Sequence, residues 1–567
     1  MEEDAEIVFI PSDNESEDGE YGLDDGMEED AEVFSIQSDN ESKGGDDELD
    51  DSIMTSPNVN SVSSDDEEDT CLEKRMTELD GIWEKKSRKY DDTQFSEECG
   101  PNLPDNFISP LDIFLCLFSE SLIDTIVKQT NIYCSQSQKP FEPTTREEML
   151  RFLAINIMMG IKKLPCIRDY WSSNSQLRDT YISSVMPLNR FFFLLSKMHL
   201  NDNSLMPKKG DPNYDKLYKI APMINQLSEN FLKFYNPTKE QAVDESMIKF
   251  KGRSTLKQYL PQKPIKRGYK VWVRADLNGF VCQFEIYTGK INGRPEKLLG
   301  ERVVRDLSRK LAFKFYHLYF DNYFTSLSLM ISLKQDGILA CGTVRSNRKD
   351  LPKMQKTNKS MNKGESEFRS SFKGIGWVKW FDNKHVQFLS NFHDPSEIVN
   401  VKRKQKDGTI LERTAPRIAH DYNCFMGCVD KADMLKSVYE RDRKSKKWWH
   451  RIFWHFADVT VVNSFIIYKQ RNTDSQMTLK HFRLLLVDQL IGYYSSNKRG
   501  TIVELQSSEE STPQNLSQKS IGMYFNISVE DLQYAVPNIE PNEAGPSVPK
   551  KARGTRSSSS YGSVSIK

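Results

Sequence analysis

Four aspartates in three short settings carry the chemistry that this chain could do. Asp244 lies in QAVDESM, Asp321 in HLYFDNYFTS, and Asp430 with Asp433 in MGCVDKADM. Asp244 and Asp321 each follow a short apolar, β-prone run, which predicts a place at or near a strand end. Asp430 and Asp433 are three apart, so on a helix both carboxylates share one face. Three such elements converging could hold two divalent cations roughly 3.5–4 Å apart, the arrangement that activates and releases oxygens in phosphodiester chemistry. A ligand set of carboxylates and water suits hard cations, Mg²⁺ first and Mn²⁺ as an alternative. Taken singly, an Asp after a hydrophobic run is more often a turn or helix cap; the joint pattern points to a site.

The elements that must position these residues can be read from period and caps. ISPLDIFLCLFSESLIDTIV offers Ser109 as N-cap, Pro110 at the first helical position and Asp112 as capping-box partner. PTTREEMLRFLAINIMMGI repeats the device with Thr145 and Glu148. NRFFFLLSKMHL and the run from Met223 to Tyr235 also carry helical spacing, so 105–240 reads as a helical domain. The period then changes. QAVDESMIKF reads as a strand, and YKVWVRAD with FVCQFEIYTG as a hairpin around Asn278-Gly279. LLGERVVRDLSRKLA predicts a helix, HLYFDN a strand, and a further helix starts near Ser326. Strand with acid, hairpin, helix, strand with acid is the order of a ribonuclease H-like α/β core, over 241–350. Two hairpins, turning at Asp382-Asn383 and Asp407-Gly408, make 351–414 a β-rich insertion. The last acidic helix follows in 415–440, and helices return in 441–498.

The net charge of −3 conceals a division. Residues 1–70 carry 27 Asp and Glu against one Lys, whereas the other 497 residues carry 77 Lys and Arg against 54 Asp and Glu. A basic body behind an acidic arm suits a polyanion binder with an autoregulatory or partner-binding tail, or an ordinary body with a solubilising one. Within 1–104, read as a disordered arm, EEDAEIVFIPSDNES (2–16) recurs as EEDAEVFSIQSDNES (28–42). Ser12, Ser38 and Ser64 precede acidic residues and are expected substrates of an acid-directed kinase. Residues 499–567 read as a polar, Ser-rich disordered tail whose cluster PKKARGTR is a nuclear address, a phosphate clamp or a charged piece of tail. Nine cysteines without a CxxC pair, and no signal peptide or long apolar run, predict a reduced intracellular protein with no membrane partner. Cys424, Cys428 and His420 lie close in sequence but have no histidine cluster to complete a metal site.

Directly after the first acidic strand, KFKGRSTLKQYLPQKPIKRGYK carries eight Lys and Arg and no acid. Lys249, Lys251, Arg253, Lys257, Lys263, Lys266 and Arg267 are therefore candidate phosphate contacts, against the reading of a solvated hairpin. Arg345 and Arg348, with Lys349, form a weaker second cluster. Trp448 and Trp449 open a helix behind the basic run RDRKSKK, and Trp449 and Trp454 read as core. His450 and His455, five apart, do not share a helical metal face.

In order and spacing, AVDESM, FDNYFTS, DYNCFMGCVDKADM and NSFIIYK resemble the piggyBac transposase family over roughly 106–470. The resemblance implies a ribonuclease H-like catalytic core of the DDE/D type, with a β-rich insertion and a mostly helical dimerisation and DNA-binding domain. It implies metal ligation by Asp244, Asp321 and Asp430, assisted by Asp433, in DNA cleavage and strand transfer at TTAA sites. It implies a homodimer on double-stranded DNA, bound at transposon ends and target. By residue count, Trp448 matches a family tryptophan that stacks near the cleaved end; anchoring two helices is the equal alternative. One departure stands out. Many relatives end in a Cys/His-rich zinc module, and the 139 residues after Cys428 hold no cysteine, so no such module is expected. The rival readings are a domesticated chromatin or DNA-binding protein without cleavage, and a scaffold acting through its acidic arm.

Overall fold

The computed structural model describes residues 83–87 and 95–492, apart from 262, 290–295, 297, 354–357, 405–408, 443, 444 and 446. The duplicated acidic motif, Ser12, Ser38, Ser64, the turn at Asp407-Gly408 and the cluster at 549–556 lie outside the described residues.

The first helices form where their caps are. In α1 (Pro110–Leu117) the Ser109 hydroxyl accepts from the Asp112 N–H at 3.2 Å, and the Asp112 carboxylate accepts from the Ser109 N–H at 3.1 Å. The apolar run beyond it is not one helix: Ser119 caps a second, α2 (Glu120–Gln136). Thr145 caps α3 (Arg146–Ile161), but Glu148 does not complete the expected box. Its carboxylate takes the Thr144 hydroxyl at 2.8 Å and Arg190 at 2.6 Å instead, because a charged donor is the stronger partner. Then come α4 (Thr180–Val185), α5 (Leu188–Lys197) and α6 (Ala221–Lys233).

The strands in chain order are β1 (Trp83–Glu84), β2 (Gly100–Pro101), β3 (Tyr235–Asn236), β4 (Glu240–Lys249), β5 (Gln258–Tyr259), β6 (Arg267–Asp276) and β7 (Val281–Ile286). Helix α7 (Leu299–Ser308) leads to β8 (His317–Phe320), and α8 (Leu327–Gln335), capped by Ser326, to β9 (Leu339–Thr343). Strands β10 (Ser366–Ser371), β11 (Gly376–Phe381), β12 (His385–Ser390), β13 (Ile398–Lys404) and β14 (Ile410–Pro416) follow. The chain closes with α9 (Arg417–Phe425), α10 (Cys428–Tyr439), α11 (Trp448–Arg471) and α12 (Leu479–Gly492).

One ten-stranded sheet organises the fold, in the order β1-β10-β11-β12-β9-β8-β4-β6-β5, with β7 beside β6. Its centre has β4, β8 and β9 parallel and β6 antiparallel to β4, a mixed sheet of ribonuclease H-like type. The β6–β7 hairpin turns at Asn278-Gly279 as read, with Gly279 at φ +82° where L side chains are strained. Both faces are covered. On one, Ala242, Ile248, Val271 and Val273 join the helical core that contains Ile452, Phe453 and Leu486. On the other, Val243, Trp272 and Phe320 pack with α7 and α8 through Val303, Leu307, Leu329 and Met330. Helix α11 is buried along most of its length, and α12 packs back on α1 and α3.

One expectation is corrected. Residues 83–87 and 95–104, assigned to a disordered arm, supply β1 to the edge strand β10 and β2 to β3. Trp83 hydrogen-bonds the Asp350 carbonyl at 2.9 Å, and β10 otherwise presents an open edge. The strands of the segment 351–414 divide in two. Strands β10–β12 extend the main sheet because β12 pairs with the free side of β9, and only β13–β14 stand as a separate ribbon.

Candidate active site

Alternation along β4 puts Asp244 and Ser246 on the face shared with Ala242 and Ile248. Asp244 lies in the middle of β4, not at a strand end as its preceding apolar run suggested. What ends there is its neighbour. The parallel ladder between β4 and β8 runs from Glu240 opposite His317 to Val243 opposite Phe320, and β8 stops. Asp244 and Asp321 are each the next residue, on neighbouring strand paths about 4.8 Å apart. Asp321 opens the loop after β8, where its carboxylate accepts the Tyr323 N–H at 2.8 Å and its carbonyl the Thr325 hydroxyl at 2.8 Å.

The second pair of acids arrives on α10, which packs against β4 and β6. The Ser246 hydroxyl donates to Asp433 at 2.8 Å, docking the helix on the strand that carries Asp244. Asp430, one turn earlier and exposed, is close enough to raise the Asp244 carboxyl electrostatically. Behind this helix, Asp421 on α9 accepts from His393 at 3.1 Å, Arg417 at 2.8 Å and His420 at 2.8 Å. Burial raises its carboxyl, but these donors hold it well below the usual range, so α9 is pinned by an ionised group.

The charges at the site are only partly compensated. Burial, with Asp321 and Asp430 adding repulsion, pushes Asp244 up to about 6 against Lys263 and the Glu245 N–H, which lower it. Burial likewise raises Asp321, with Glu245 adding to it, and raises Asp433, with Asp430 and Glu440 adding to it. Among the described residues no three His, Cys, Asp or Glu side chains converge tightly enough to hold a metal ion. In donor type the set still fits a hard divalent cation: oxygen ligands only, on one face, with the Asp244 and Asp321 carboxyls raised.

The candidate phosphate contacts divide. Lys251, Arg253 and Lys266 are exposed on the β4–β6 connection, where Arg267 lies over the Tyr259 ring at 5.2 Å. Lys257 is turned to the Gly252 carbonyl at 2.9 Å. Lys249 pairs with Asp442 at 2.7 Å, which also takes Arg451. Lys263 turns inward to Glu245. Arg345 and Arg348 are not simply a basic tip. Arg345 donates to the Asn322 side chain at 2.8 Å and Arg348 to the Tyr323 carbonyl at 2.8 Å, so both brace the loop bearing Asp321. Trp448 is half-buried against the helical core, and Trp449 and Trp454 lie within it.

Sequence reasoning passed over Ser246, Glu245, Lys270 and Tyr323. Glu245 forms an ion pair with Lys270, whose ammonium sits 4.7 Å from the Tyr323 ring centroid. Ser246 was legible in hindsight: two residues beyond Asp244, it shares that face.

A family model described as Transposase IS4 matches residues 109–465. The chain belongs to the piggyBac transposase family. It is 30% identical over 369 residues to the human PiggyBac transposable element-derived protein 3, covering 64% of this chain and 61% of that relative's length. The human PiggyBac transposable element-derived protein 2 is 26% identical over 425 residues, covering 72% and 70%. In three dimensions the chain resembles a piggyBac transposase solved as a synaptic complex with hairpin DNA, with a TM-score of 0.62, 25% identity and coverage of 70% and 83%. DDE-type transposases use divalent metal ions in general, which agrees with the donor chemistry at Asp244, Asp321 and Asp430.

Proposed function

We propose that this chain is a piggyBac-like DNA transposase that cuts double-stranded DNA and joins 3′ ends to TTAA targets. The observation that carries the reading is that Asp244 and Asp321 each follow the last pair of one parallel ladder, with the helix of Asp430 and Asp433 tied to β4 by the Ser246–Asp433 hydrogen bond. Asp244, Asp321 and Asp430 would hold Mg²⁺, or Mn²⁺ in its place, and Asp433 assists from the same helix. When bound, such ions stabilise developing negative charge and activate the attacking oxygen. The chain's own residues do the rest. Ser246 and Asp433 fix the approach of α10, Arg345 and Arg348 hold the loop of Asp321, and Lys251, Arg253 and Lys266 bind backbone phosphate. Trp448 stacks on an unpaired base at the cleaved end.

The protein acts in the nucleus as a homodimer on transposon ends, and its acidic serines are kinase substrates. The test is to sequence the genomic flanks of its coding sequence for terminal inverted repeats and to assay a duplex bearing them for strand transfer into plasmid DNA in Mg²⁺. Junctions should fall at TTAA, and Asp244→Asn should abolish them with DNA affinity nearly intact. Equal strand transfer by the variant would refute the assignment. A second reading is a domesticated DNA-binding protein that no longer cuts. The names of the human relatives favour it, as do carboxylates that, among the described residues, do not close into a ligand set. DNA binding without any cleavage product in Mg²⁺ or Mn²⁺ would select it.

A further inference from the structure

Lys263 stands apart from the rest of the basic connection. It sits between Pro261 and Pro264 at the tip joining β5 to β6, a tip closed by the Leu260 N–H to the Lys266 carbonyl at 2.9 Å and the Lys263 N–H to the Leu260 carbonyl at 3.2 Å. Prolines on either side restrict the tip. Its ammonium reaches the Glu245 carboxylate at 3.4 Å and the Glu245 backbone carbonyl at 3.4 Å. That carbonyl is on β4 beyond Val243, where β8 has ended and the strand edge is open. Glu245 already has a closer cation in Lys270, so Lys263 is the second charge at this point, on the residue that follows Asp244 along β4.

We propose that Lys263 is the acidic site's own counter-ion, sharing the charge of Asp244, Glu245 and Asp430 in the metal-free protein, and that a divalent cation loading on Asp244 must displace it. Electrostatics agree with the geometry: Lys263 is the foremost charge lowering Asp244, and although burial depresses the Lys263 ammonium, Asp244, Glu245 and Asp430 raise it above its ordinary value. A flexible, strongly hydrated ammonium on a four-carbon stem suits a removable charge better than a guanidinium clamp. The inference rests on the metal site proposed above, and it gives one residue of the basic stretch a role distinct from phosphate binding.

The test uses the full chain without DNA. Mn²⁺ binding followed by calorimetry should tighten about tenfold in Lys263→Gln, because a competing positive charge is gone, and should not tighten in Lys263→Arg, which keeps that charge. In EDTA, Lys263→Gln should melt several degrees below wild type, and this loss should shrink in the Asp244→Asn background, where the charge it neutralises is absent. Mn²⁺ should restore Lys263→Gln more than it stabilises wild type. An additive melting loss in the double variant would overturn the counter-ion. Unchanged or weaker Mn²⁺ affinity in Lys263→Gln, with coupling present, would make Lys263 a fixed ion pair and overturn the competition. If neither wild type nor Lys263→Gln binds Mn²⁺, the metal site itself fails, while the coupling still reports on the ion pair.

Discussion

Asp244→Asn should make the metal-free protein more stable even as it removes cleavage. The folded carboxyl titrates at about 6 against an ordinary 3.8, chiefly through burial and then through Asp321 and Asp430. The folded state therefore holds this proton more tightly than the unfolded chain. Stability from that preference is complete below about pH 4 and is lost as the pH rises through 6. The gap corresponds to about 3 kcal/mol, which screening at the partly exposed side chain reduces to roughly 1–3 kcal/mol. Asparagine keeps the carbonyl oxygen that accepts the Glu245 N–H at 2.7 Å, so it removes the charge and little else. In EDTA at pH 8 the variant should melt about 2–5 °C above wild type, and at pH 4.5 the two should agree within about a degree. Excess Mg²⁺ should erase the difference by stabilising wild type alone. Differential scanning fluorimetry at both pH values measures this. A variant less stable at pH 8, or a gain independent of pH, would refute the electrostatic account of the site.

Ser246→Ala removes the donor that holds Asp433 and leaves a buried carboxylate short of a partner, so it should cost about 1–3 kcal/mol in urea unfolding and reduce strand cleavage more than DNA affinity. Arg348→Ala frees the loop after β8 and should lower cleavage while the salt dependence of DNA binding stays constant, measured by fluorescence anisotropy. Lys251→Ala or Arg253→Ala should instead weaken binding to all sequences and lower the salt slope by about one each. Deleting residues 1–70 should leave cleavage of plasmid DNA intact; its loss would favour the scaffold reading of the acidic arm.

Much of the core was legible because local chemistry and the tertiary fold agree there. Ser109, Thr145 and Ser326 cap helices as their neighbours suggested, and Asn278-Gly279 turns its hairpin. The motif order around the four aspartates was sufficient to name the family without the fold. Edges and partners were less accessible. That Trp83 and Glu84 would form an edge strand depends on β10 having none, a fact nearly 290 residues away in the chain. Arg345 and Arg348 read as a basic cluster because charge is visible in sequence, whereas the carbonyl and amide that receive them are not.

By itself, the order of residues determined which side chains could do chemistry, the caps and periods of the elements that bear them, and the acidic arm and basic body of the chain. These are properties of neighbours within a few positions, where helix and strand geometry leaves little choice. Tertiary structure alone decided that β8 stops where Asp244 begins, that Ser246 holds Asp433, and that Lys263 turns inward while Lys251 and Arg253 face solvent. Each of those depends on strand register and on which face a helix covers, and register is chosen by packing over distances that no local pattern encodes.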